Sequence, residues 1–188
     1  MKKIICLILF TLSTVNCSFT KDTTKYIVVT FVSYNNFPKE YLEEVEIKFT
    51  EYIKKEFNII THIEFEQESF PKQNKRLDAL KLLNKYQSNY YFTTILFTDK
   101  DIEFKGKGVL GLSLHPGKLC IVSTYRLKNK KELWKLVVHE FIHIYFDYSH
   151  CPVNNNNCLM KDAKGKVNFK NKQNICTVCK NNITNYKI

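Results

Sequence analysis

The feature that most constrains this chain is the spacing of metal-binding residue types between positions 139 and 179. His139 and His143 are four apart, with Glu140 beside the first. The apolar residues Leu133, Trp134, Val137, Val138, Ile142 and Tyr145 recur around them at helical spacing. Residues four apart on a helix project from one face, so both imidazoles can reach one tetrahedral ion. Glu140 then lies where its carboxylate can take a proton from water on that ion and return it to a leaving amine. This division of labour suits peptide hydrolysis. His150 follows beyond the expected helix end, placed to fold back as a third nitrogen ligand and leave one position open for water. Three of the five histidines in the chain fall between 139 and 150. His62, on an alternating strand, and His115, in a turn, lack ligand spacing.

Four cysteines come next: Cys151, Cys158, Cys176 and Cys179, the last two as C-x-x-C. Two closely spaced thiolate pairs suit a closed, structural tetrahedral zinc site, which would crosslink a tail with little periodicity of its own. Disulfide pairing is the alternative, favoured by an exported location. Cys120, in an apolar strand, reads as a buried free thiol.

Upstream, Tyr26 to Ser33 predicts a buried first strand. Leu42, Val45, Phe49, Tyr52 and Ile53 predict a helix laid on a sheet, and Ile59 to Gln67 a half-buried strand. Leu77, Leu80, Leu83 and Tyr86 give a second helical stripe, and Tyr90 to Phe97 a third strand. The glycines at 106, 108 and 111 and the turn His115-Pro116-Gly117 mark two adjacent strands, the second being Lys118 to Thr124. Asn129 can cap the helix that carries His139.

At 188 residues, with 44% hydrophobic content, the chain supports one domain. Residues 1–16 have the charged start and short apolar run of an export signal, and Cys17 sits where a bacterial lipoprotein is lipidated. Residues 17–25 then form a tether, 26–188 the domain and 147–188 its zinc-binding end. The expected location is the periplasmic or outer face of a membrane, held by lipid at Cys17, or the secreted fraction if Cys17 is unmodified. The net charge of +11 is spread among Lys and Asn, so a solvated surface is expected rather than a nucleic-acid groove.

The order His139, Glu140, His143, His150, Cys151, Cys158, Met160, Cys176 and Cys179 resembles the archaemetzincins, zinc peptidases of the metzincin clan. Thr98 to Ile102, Gly108 to Ser113 and Ser123 to Leu127 precede the helix as in that family. The resemblance covers Tyr90 to Cys179 closely and the first half only in element order. It departs in two places. Phe146 stands where the family has glycine, with one residue inserted before His150, and the loop Pro152 to Asn157 is longer. Asp147 tolerates a left-handed turn better than Phe146, so the turn is expected at Asp147. Should the turn lie elsewhere, Asp147 itself could approach the metal.

The resemblance implies an α/β, metzincin-like fold. It would have a twisted mixed sheet with an antiparallel edge strand, backing helices, an active-site helix and a small zinc-stapled C-terminal subdomain. It also implies two zinc ions, one catalytic and one structural, with Met160 as the Met-turn residue beneath the first. A peptide or protein substrate would lie extended along the edge strand Gly108, Val109, Leu110, Gly111, Leu112 and Ser113. Arg126 and Asp101 would be structural. A monomer is expected, with no nucleic-acid partner. The alternative is a zinc-binding lipoprotein on the same scaffold that binds peptides with little or no turnover.

Overall fold

A computed structural model describes residues 24–34, 37–68, 76–87, 92–114, 117–162 and 169–185. The expected signal, Cys17, Tyr90 and the turn residues His115 and Pro116 lie outside them.

The elements run β1 (Lys25–Tyr34), α1 (Lys39–Phe57), β2 (Ile59–Glu68), β3 (Leu77–Asp78), α2 (Ala79–Tyr86), β4 (Thr93–Thr98), β5 (Ile102–Phe104), β6 (Lys107–Val109), β7 (Gly111–Ser113), β8 (Leu119–Ser123), α3 (Leu133–Phe146) and α4 (Thr177–Asn185). The main sheet has the order β2-β1-β4-β8-β7, parallel except for the antiparallel edge strand β7. Buried parallel strands need cover on both faces, and every residue of β4 and β8 is buried. On one face Phe31, Ile95, Phe97, Cys120 and Val122 pack with residues of α1 and α3. On the other, Val32, Tyr34, Leu96 and Ile121 pack with Ala79, Leu83 and Tyr86 of α2.

The apolar stripe expected on α1 is the one that is buried: Leu42, Val45, Phe49, Tyr52 and Ile53. Asn58 ends the helix in the left-handed region at φ 53°, its N–H bonded to the Lys54 carbonyl. Phe49 meets Phe141 edge-on at 5.0 Å, which fixes α3 against α1. Such an aromatic pair contributes about 1 kcal/mol beyond its area.

Three expectations change. Leu77 belongs to β3, paired with β5, and not to the α2 stripe, because Asp78 caps that helix by accepting from Lys81 N–H. Asn129 caps a 3-10 turn, Lys130–Glu132, that leads into α3. The stretch Gly108 to Ser113 is not one strand. Lys107–Val109 pairs with β5 in a separate three-stranded sheet, and Gly111–Ser113 pairs with β8, with Leu110 buried between them. At Gly108 the Arg126 guanidinium occupies the space a side chain would need. That guanidinium grips Asp101 at 2.6 and 2.8 Å, and Arg76 adds a third bond to Asp101 at 2.7 Å. Asp101 and Arg126 are therefore structural, as expected, and their pairing holds the Asp101 carboxyl below its usual range.

Candidate metal centre

Helix α3 is apolar on nearly every side, as suits a helix enclosed by the fold. His139, Glu140 and His143 are buried within it, and Lys135 is accommodated by donating to the Phe169 carbonyl at 2.9 Å. The helix stops where Asp147 takes the left-handed conformation at φ 49°. The turn thus falls at Asp147, and the exposed Asp147 stays outside the group that converges on the site.

Two backbone carbonyls orient the helix histidines. Nδ1 of His139 donates to the Leu159 carbonyl at 2.8 Å, and Nδ1 of His143 to the Tyr148 carbonyl at 2.6 Å. A carbonyl can only accept, so both Nδ1 atoms carry the proton, and in the neutral rings both Nε2 atoms present lone pairs. Those lone pairs face each other at 3.1 Å. Two acceptors at that distance repel unless a cation lies between them. His150 completes the group, its ring centroid 5.2 Å from that of His139 and 4.7 Å from that of His143. One ligand atom from each of the three lies within 4.8 Å of the others. Ligands about 2 Å from a tetrahedral ion stand roughly 3.3 Å apart, so the residues fit zinc with little adjustment. Burial and the neighbouring His143 push the His139 pKa well below the ordinary range, keeping it neutral as a ligand must be.

Glu140 lines the same cleft, of about 540 Å³, with His139, His143, His150 and the stretch Val109 to Ser113. Burial raises its pKa to about 7, against a lowering hydrogen bond from Ser113. Lys161, Asp162, Phe169 and Lys172 also line it, none of which the sequence singled out. Of the expected edge residues, Gly108 does not line the cleft.

The four late cysteines converge in a second group. Cys151 and Cys176 have Sγ atoms 3.7 Å apart, and Cys158 and Cys179 3.8 Å apart. Thiolates about 2.3 Å from a tetrahedral ion stand roughly 3.8 Å apart, so these distances suit a shared ion. All four thiols are free, which supports metal over disulfides. Burial raises the Cys158 and Cys179 thiols. On Cys176 burial is outweighed by hydrogen bonds from the other cysteines, which lower it. Met160 is fully buried beside this segment, and its carbonyl accepts from the Cys151 N–H at 2.8 Å. The tail is docked by Tyr52, whose hydroxyl accepts from the Ile175 N–H at 3.1 Å, and by the ion pair of Lys180 with Glu56 at 3.1 Å. His62 is exposed on the outer strand β2 and joins neither group.

The sequence matches no protein-family model. Over 106 residues, 55% of this chain, it is 34% identical to an archaemetzincin from Nanoarchaeum equitans, and the match spans 58% of that relative. The fold is similar to the crystal structure of archaemetzincin from Methanopyrus kandleri. The TM-score is 0.69 at 19% identity, covering 85% of this chain and 94% of that one. It is also similar to archaemetzincin from Archaeoglobus fulgidus, solved with malonate, at a TM-score of 0.52 and 20% identity, covering 80% of this chain and 97% of that one. The chain therefore has an archaemetzincin-like fold, and both residue groups fit zinc.

Proposed function

We propose that this chain is a zinc metallopeptidase in which His139, His143 and His150 hold a catalytic zinc and Cys151, Cys158, Cys176 and Cys179 a structural one. The observation that carries the reading is the pair of Nε2 lone pairs at 3.1 Å, oriented by two carbonyls and opening on a cleft that also contains Glu140. Zinc held there supplies Lewis acidity toward water and toward a peptide carbonyl. The remaining chemistry belongs to the chain. Glu140, raised to about 7 by burial, can accept the proton of the attacking water and pass it to the leaving amine near neutral pH. The strand β7 ends the main sheet, so its outer edge can pair with an extended peptide main chain while the cleft takes the side chains.

The alternative of a binding protein with little turnover draws on the glycine-free turn after His143. Asp147 adopts the left-handed geometry at that turn, which supports a competent third ligand instead. Digestion of an unbiased peptide library by the zinc-loaded protein tests the proposal. Cleavage that a chelator abolishes and added zinc restores is the expected result, and a library left intact would overturn it. Export and lipid attachment at Cys17 remain part of the proposal, resting on the sequence alone. Labelling by an alkynyl fatty acid in cells, lost in Cys17→Ala, is the expected outcome for the anchor.

A further inference from the structure

Resting on the peptidase reading, we propose that Ser113 is a positioning residue for Glu140, with Gly111 supplying the space in which the carboxylate is held. Residues two apart on a strand share a face. Ser113 and Gly111 meet Glu140, while Leu112 between them packs with the opposite core cluster. Ser113 Oγ donates to Glu140 Oε2 at 2.5 Å and stands 3.3 Å from the Glu140 backbone carbonyl. A hydroxyl carries one proton, and the shorter, charge-assisted contact to the carboxylate is the one it favours. On the other side, a Cβ at Gly111 would collide with Oε1, Cδ and Cγ of Glu140. Both carboxylate oxygens are therefore placed by one three-residue strand, Oε2 by a donor and Oε1 by room left for it.

This arrangement assigns different tasks to the two oxygens. Oε2 is committed to Ser113, and Oε1 is the oxygen that carries the proton. The strand proposed to pair with the substrate also sets the base, so the two are aligned by the same backbone. Removing the hydroxyl leaves a buried carboxylate without its short bond and free to turn. A misplacement of about 1 Å can cost on the order of a hundredfold in rate.

The test uses the zinc-loaded full chain and a cleaved library peptide. Ser113→Ala is expected to lower kcat about 10- to 100-fold with KM within about twofold. Zinc content should stay as in the wild type, the fold should persist with a modest fall in melting temperature, and Ser113→Thr should restore most of the rate. Crystal structures supply a readout that does not depend on turnover. The Glu140 carboxylate should be bonded to Ser113 in the wild type and rotated away in Ser113→Ala. An unchanged kcat, a loss confined to KM, no rescue by Thr, or a carboxylate unmoved in Ser113→Ala would each overturn the proposal. If the zinc-loaded wild type leaves the peptide library intact, the peptidase reading fails by itself. The crystal structures still decide whether Ser113 holds the carboxylate.

Discussion

The histidine and cysteine groups lie side by side in the chain, yet they differ in exposure and in ligand type. In the histidine group His150 is exposed, the other two rings are oriented by carbonyls, and the group opens on a cleft with a buried carboxylate. In the cysteine group three of the four residues are buried and all four ligands are thiols. On the proposed reading, the difference teaches that the closed group is scaffolding for the open one. His150 is followed directly by Cys151. The Leu159 carbonyl that orients His139 lies between Cys158, a proposed structural ligand, and Met160.

The largest expected effect follows from that dependence. Cys158→Ser should lose the cysteine-held metal and several kcal/mol of stability, and should weaken metal binding at the histidines as well. His143→Ala should lose only the histidine-held metal. Metal analysis of the two variants, with thermal melts, checks the asymmetry, and equal losses in both would break the comparison. A mild chelator provides a second check. The exposed side of the histidine group should release its metal first, leaving an intermediate with one ion per chain. Simultaneous release would mean that the sites do not differ in access.

A smaller effect is expected at the turn that leads from His143 to His150. Asp147 is left-handed at φ 49°, so Asp147→Val should cost roughly 1 to 2 kcal/mol. It should weaken metal binding by displacing His150, whereas Asp147→Gly should be tolerated. Equilibrium unfolding and zinc titration of the two variants separate strain from loss of the aspartate.

The smallest effect lies away from both groups, at Asp101. Its folded-state pKa is lowered chiefly by the hydrogen bond from Arg126, so the pairing stabilises the fold above the ordinary value of 3.8. That contribution is lost as pH falls through the lower folded value. Asp101→Asn should therefore be less stable than wild type near neutrality, by an amount that shrinks in strong acid. Denaturant melts of both proteins across that range provide the check.

The histidines and cysteines were legible in the sequence because ligation imposes residue types and spacing that survive without tertiary context. The turn at Asp147 was legible for a similar reason, since Phe146 tolerates positive φ poorly. What supports the ligands was not legible. The carbonyls of Leu159 and Tyr148 carry no side-chain signature, and Lys172 and Phe169 reach the cleft only through the folding of the tail. The single edge strand over Gly108 to Ser113 is what the resemblance implies, and the spacing of its glycines does not show the break at Leu110. Two of them answer to distant side chains, Arg126 and Glu140. The Gly111 and Ser113 alternation was a usable signal for a shared face, but not for what that face meets.

The central claim, that the open histidine group performs chemistry and the cysteine group does not, is tested most directly by Glu140→Gln. Its metal content and its cleavage of a library peptide should be measured together. The account predicts two zinc ions per chain in both proteins, with cleavage falling about a thousandfold in the variant. Undiminished cleavage, or loss of an ion along with the carboxylate, would contradict it.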